Sequence, residues 1–529
     1  MATKTHIASD ETLARIADAL EARNQSDDLV WDEAAGEYTA SSIAAMLASK
    51  RDGLVYGTRV PDWATTQTPG GEKTRANAGL VCTPSTNTTA GRDDYAGRLV
   101  GRWWRVNARV DERGVPHVMA FDGDGNFRTD GTNGDVMVLK AVKWWAWVAT
   151  SDGYHELLLS DSAASGLSPQ PGATLPDGSL RPYILQAAYP ASVGPDGKAA
   201  SLPGRQPITR TISQNTCVDL ARAKGDGWSM LSWADMWEYE TQFLLRYASK
   251  SSESVFTGCT GYTTTAKTQL AESGVYRVVL AKASADALVP GSAVMVGSST
   301  ADAAPDRGAA SAYDLVEWAR VTSIEAIDDA TSAVNLDLPA AIDVPLGCWV
   351  QTAPWPTGSC DAILGGDGSP SSPKGFKEPF RLAGVELMVG VYEVVCDVTL
   401  NALGREGGEM AVEAWLCPSS SALSKTSTDG YEHVADLPVQ ASEGWVYQAD
   451  VSFPGGMPLG AGTGSSTSTG TGDGHYQNVA VSKGLREFLA FGYLGSWSGG
   501  GLLAVVSDSG LARTGWIIGS RLSAIGLRG

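Results

Sequence analysis

Few residues in this chain are spaced as chemistry requires. Asp122-Gly123-Asp124-Gly125-Asn126 opens like a calcium loop, in which alternating oxygen donors would wrap one ion. Phe127 stands where the sharp turn of such a loop needs glycine, and Asn133 where a bidentate glutamate closes the shell, so the run reads as a turn. His155-Glu156-Leu157-Leu158-Leu159 lacks the second histidine that a zinc-binding helix presents one turn later, and the chain has only five histidines. Gly495-Ser496-Trp497-Ser498-Gly499 carries Trp497 where a nucleophile elbow carries serine. Catalytic triads and carboxylate pairs assemble in space and not along the chain, and 59 acidic residues make chance pairs abundant. The expectation is therefore a protein without catalytic residues, metal or cofactor.

Seven cysteines (Cys82, Cys217, Cys259, Cys348, Cys360, Cys396 and Cys417) are an odd, scattered set with no C-x-x-C pair, the pattern of buried free thiols. Cys348 and Cys360 alone are close enough in sequence to invite a bridge in an oxidising medium.

The elements that must position any site begin with charge. Forty basic against 59 acidic residues give −19, which argues against a grip on nucleic acid or an anionic membrane. Without an apolar leader core or an 18-residue apolar run, the expectation is a soluble chain, with no membrane insertion and no secretion signal. Glycine, 61 of 529 residues, is well above its usual share of about 7%, and 17 tryptophans are many for this length. The periodicities predict an α+β, mostly β protein. An N-terminal helical docking segment spans 1–50, with one helix after the Ser9 cap and a second over Ser41–Lys50, whose narrow apolar stripes suit packing against each other as an ordinary hairpin, or against a neighbouring copy or a partner. A β-rich module follows over 51–165, with a hairpin about Asp111–Gly114 and a further strand run from Val136 to Thr150. A Pro/Gly/Ser-rich linker is expected over Ser165–Arg181, then a Ser213-capped helix and a core helix carrying Trp233, Met236, Trp237, Glu240, Phe243, Leu244, Tyr247 and Ala248. Regularly spaced short strands over 263–351 read as an inserted small β-barrel, and Gly455–Gly474 as a low-complexity surface loop.

The end of the chain differs from the rest. Leu485–Gly529 holds Phe488, Phe491, Tyr493, Trp497 and Trp516 among ten glycines, with Glu487 and Asp508 its only acids. Irregular glycine loops that carry aromatic and small polar side chains have the composition of a recognition surface.

Gly492-Tyr493-Leu494-Gly495-Ser496-Trp497-Ser498-Gly499-Gly500, followed by Gly515-Trp516-Ile517-Ile518-Gly519-Ser520-Arg521-Leu522, resembles the variable region of diversity-generating retroelement target proteins. Two upstream blocks, Trp228–Trp233 through Phe243–Glu253 and Glu378–Glu393, are similar to the gut-phage members of that family, although Gly390-Val391-Tyr392-Glu393 is one residue shorter than the corresponding family turn. The resemblance covers about residues 180–529, and the N-terminal module resembles the upstream part of the same tail proteins. It implies a C-type lectin fold of the formylglycine-generating-enzyme subtype, formed by 180–262 and 352–529, on a phage or prophage tail, made in the bacterial cytoplasm and carried on the virion. The protein would be a noncatalytic receptor-binding protein, working as a homotrimer among other phage tail proteins and attaching to a host cell-surface protein or glycan. The family varies at adenine-containing template codons, typically asparagine codons, and no asparagine follows Asn478 here. The positions implied for ligand binding are Tyr493, Leu494, Ser496, Trp497, Ser498, Leu502, Ser507, Asp508, Ser509, Leu511, Thr514, Trp516 and Ile517, with Gly492, Gly519, Arg521 and Leu522 as frame. The competing readings are a tail-associated glycan-degrading enzyme, which needs two carboxylates about a sugar bond, and a formylglycine-type oxidase. The oxidase uses a cysteine pair late in the fold, and this chain has none after Cys417.

Overall fold

Thr39 starts the first described helix, α1 (Ala40–Ser49), by accepting the Ser42 amide on its side chain. The computed structural model describes residues 29–62, 70–111, 115–175, 177–404, 410–437, 444–447, 450–457, 459–461, 473–477 and 483–524. The helix expected after Ser9, and most of the Gly455–Gly474 run, lie outside them. The apolar stripe of α1, Ile43, Met46 and Leu47, is buried in one cluster with Leu99, Trp104 and Val106. That stripe is thus covered by the chain itself.

Among the described residues the architecture is mostly β, 37% strand against 12% helix, in several antiparallel sheets. Trp103–Val110 and Pro116–Phe121 pair as neighbours, as the hairpin pattern predicts. Val136–Thr150 is not one strand: Asp135–Lys140 pairs with Trp103–Val110, whereas Trp144–Ala149 pairs with Tyr154–Ser160 in a second sheet. The first sheet continues through Ile184–Ala187, Leu522–Ser523 and Ser229–Met230. Strands from both sides of the expected 165–181 linker therefore share one sheet with the end of the chain.

Two helices follow. The second, α2 (Gln214–Lys224), is held by a Ser213/Thr216 capping box and stops at Gly225, whose φ of 138° suits only glycine. The third, α3 (Trp233–Tyr247), has a Ser232/Asp235 box, and every residue except Tyr247 is buried. Trp233, Met236 and Phe243 face the main core, and Trp237, Leu244 and Leu245 a second cluster. A helix buried all round must pair or neutralise its ionisable groups, and burial holds Glu240 protonated. Glu238 meets Lys143 at 2.8 Å and Lys140 at 3.4 Å, and Arg246 meets Asp93 at 2.9 Å and Asp367 at 3.4 Å.

Between Thr265 and Ala353, six strands run in the order Thr265–Lys267, Trp349–Ala353, Ala293–Gly297, Val316–Ala326, Thr331–Asp337, Arg277–Ala281. A Thr268–Leu280 bridge joins the first to the last and closes the ring around Val278, Val294, Val321, Val334 and Val350. The C-terminal sheet is built on Tyr392–Gly404, which pairs with Met410–Leu416 on one side and Gly484–Phe491 on the other. All seven cysteines are free and buried, so the Cys348–Cys360 bridge does not form.

Candidate binding surface

The segment expected to bind ligand leaves the strand Gly484–Phe491 and folds back on itself. A Cβ on Gly492 would lie 2.9 Å from the Gly500 Cα, and one on Gly501 would lie 2.3 Å from the Asp473 carboxyl carbon, so both positions demand glycine. Asp473 is buried and accepts the Leu503 amide at 2.8 Å, the Ser252 amide at 2.9 Å and the Ser252 hydroxyl at 2.7 Å. Burial pushes its carboxyl up to about 6 despite these bonds.

Inside this frame the thirteen expected site residues divide by depth. Trp497 (53% exposed), Ser498 and Thr514 face solvent; Tyr493, Ser507, Asp508, Trp516 and Ile517 are half-buried. Five are buried, which corrects their assignment to the surface. Leu494 inserts into the cluster shared by Cys259, Trp355, Val389 and Val391 with the barrel core. Leu502 joins the main core, and its amide donates to the Ser252 hydroxyl at 2.9 Å. Leu511 is buried, and its carbonyl accepts the Asn215 amide at 3.0 Å. Ser496 accepts the Tyr493 amide at 3.0 Å and donates to the Tyr392 hydroxyl at 3.1 Å. Ser509 accepts from Arg513 at 2.6 Å and donates to Asp508 at 3.0 Å. These hydroxyls tolerate burial because their hydrogen bonds are satisfied within the protein.

What remains accessible is aromatic and small polar. The Tyr493 ring packs edge-on to Trp516 at 6.1 Å and against Tyr392 at 5.2 Å, while the Arg307 guanidinium lies 5.3 Å over Trp516. Trp497 lies beside Phe376 at 5.9 Å and over Gly261, where a Cβ would come within 2.8 Å of the indole. Arg307, Phe376 and Gly261 were absent from the expected set. They come from the barrel and its flanks, and nothing local in their sequence marks them.

The frame beneath is electrostatic. Ile518–Gly519 runs parallel to Tyr392–Glu393, and Arg521 closes on Glu393 with two 2.6 Å bonds between fully buried groups. The glycine-tryptophan run at the end of the chain and the Gly390–Glu393 run are thereby fastened to each other. Burial opposes the Arg521 charge, but the Glu393 carboxylate overrides it and holds the guanidinium well above its ordinary range. Glu487, also buried, accepts the Gln214 amide at the first turn of α2, and burial raises its carboxyl to about 8.

Among the described residues of this region, His475 and Ser507 make a contact with nucleophile–base geometry, Nε2 to Oγ at 2.9 Å. His475 is 2% exposed, and burial lowers it to about 4, so it sits neutral and ties its strand to the loop. The calcium-like run is a turn, with Asp124 accepting the Phe121 amide at 2.8 Å and the Tyr38 hydroxyl at 2.9 Å. His155 lies on a strand and not on a helix.

No protein-family model matches the chain, and no curated protein matches it.

Proposed function

We propose that the protein is a noncatalytic receptor-binding protein of a phage or prophage tail. In this reading the C-terminal part is a C-type-lectin-like domain of the formylglycine-generating-enzyme subtype, interrupted by the barrel, and it displays a diversifiable surface to a host protein or glycan. The observation that carries the reading is the sorting of the C-terminal segment. Leu494, Leu502 and Leu511 anchor it from below, while Tyr493, Trp497, Ser498, Thr514 and Trp516 remain accessible on a glycine backbone fastened by Arg521 and Glu393. A rigid frame under a few accessible aromatics lets side chains change without refolding and supplies the anchors that dominate binding energy. Adsorption of the purified protein to bacterial cells, compared with a variant stripped of the accessible side chains, tests it.

Formylglycine-type oxidation is disfavoured by the thiols: all seven are buried, and burial raises Cys217, Cys259 and Cys360 far above the range of a reactive thiolate. Release of reducing ends from capsular glycan would establish the depolymerase alternative. The trimer is part of the proposal, and sedimentation at micromolar concentration decides it.

A further inference from the structure

Among the described residues, one set of three metal-ligating side chains brings a donor atom from each within 4.8 Å of the others: Glu413, His433 and Asp436. They lie on two antiparallel neighbours, Met410–Leu416 and Glu432–Leu437, the latter at the end of the C-terminal sheet's strand order. Glu413 stands directly opposite Asp436, and Trp415 opposite His433. Like charges directly opposed across a ladder repel, so the Glu413–Asp436 pair is unfavourable unless a positive charge sits between them.

His433 and Asp436 are three residues apart, and on a regular strand they would point to opposite faces. The pairing passes from Ala414–Ala435 to Trp415–His433 and skips Val434. This bulge returns the imidazole to the carboxylate face, where His433 Nε2 lies 3.3 Å from Asp436 Oδ1. Trp415 supplies the outer shell: its indole N–H donates to Glu413 Oε2 at 3.0 Å, and its ring packs edge-on to His433 at 5.3 Å.

From this geometry we propose that Glu413, His433 and Asp436 form a binding site for a divalent transition-metal ion of the zinc class. One imidazole with two carboxylates suits zinc, cobalt or manganese better than calcium or magnesium, which prefer all-oxygen shells. Bonds of roughly 2.0–2.2 Å place tetrahedral donors about 3.4 Å apart; His433 Nε2 and Asp436 Oδ1 already lie at 3.3 Å, and the donor set, within 4.8 Å, contracts to that spacing by side-chain rotation. His433 and Asp436 are exposed, so the ion has an entry path, and its remaining coordination positions open to solvent. The site is independent of the receptor-binding reading.

The test uses the full chain after chelator treatment, titrated with zinc by calorimetry and with cobalt by visible absorption. The expected result is one ion per chain, with ligand-field bands for cobalt. His433→Ala and Asp436→Asn should each lower the affinity at least about 100-fold, the scale on which even outer-shell losses act, with the metal-free melting temperature unchanged. Absence of heat and of cobalt bands in the unmodified protein would overturn the proposal. So would binding that His433→Ala and Asp436→Asn leave intact, since the three side chains would then only guard a sheet edge against pairing.

Discussion

Replacing Glu393 with glutamine leaves the Arg521 guanidinium charged, fully buried and stripped of its counter-ion. Both side chains are inaccessible, and the two bonds they share measure 2.6 Å. Removing one partner of such a pair costs about 3–5 kcal/mol, and two charge-assisted hydrogen bonds at about 1.5–3 kcal/mol each give an overlapping range of about 3–6 kcal/mol. The damage should be local first, because Arg521 lies between Ile518–Gly519, which pairs with Tyr392–Glu393, and Leu522–Ser523, which pairs with two strands of the first sheet. Glu393→Gln should therefore lower the urea midpoint and speed amide exchange over 518–523 by about 100-fold or more, the exchange equivalent of roughly 3 kcal/mol. The double variant Glu393→Leu with Arg521→Met removes both charges and should recover most of the loss, since apolar replacement of a buried pair is often neutral or stabilising by about 1–4 kcal/mol. A single-variant cost under about 1 kcal/mol, or a double variant as weak as the single, would refute the claim that this pair fastens the end of the chain.

Three further outcomes follow from the same structure. Glu487 and Glu253 are pushed by burial to about 8, and Asp473 to about 6, all above their unfolded values, so these acids hold protons more tightly folded than unfolded. Their contribution to stability is full at about pH 4 and is lost as pH rises toward 8. Glu487→Gln should match the parent protein near pH 4 and exceed it in melting temperature at pH 8, and an advantage that does not grow over that interval would count against the burial argument. Leu494→Ala empties a fully buried position where the loop meets the barrel core and should cost about 2–5 kcal/mol, read as a lower unfolding midpoint and faster proteolysis in the barrel. Trp497→Ala, at a 53% exposed indole, should stay within about 1 kcal/mol of the parent stability; a larger loss by the same assay would mean that Trp497 is structural.

How much of this was legible in the sequence depended on periodicity. The apolar spacing from Trp233 to Tyr247 sufficed for α3, because a core helix repeats its pattern over four turns. Four of the six barrel strands were visible through their regular spacing; Thr265–Lys267 and Trp349–Ala353 were not. The break between Lys140 and Trp144 was not, since an uninterrupted apolar run hides a change of sheet. In the C-terminal segment glycine loops have no period, so composition flagged the region without separating Leu494 and Leu502, which anchor it, from Trp497 and Thr514, which do not. The contributions of Arg307 and Phe376 arise from tertiary placement alone. The Glu413, His433 and Asp436 trio was hidden by distance along the chain and by a bulge at Val434 that no local residue signals.

The most direct test of the central claim is adsorption to host cells by a variant carrying Trp497→Ala, Ser498→Ala and Thr514→Ala, measured beside its melting curve. All three positions are exposed, and none joins a core cluster. The expected result is an unchanged melting temperature and a loss of cell binding of about 30-fold or more, the effect of removing one hot spot worth about 2 kcal/mol. Binding that survives the triple substitution on a correctly folded protein would contradict it.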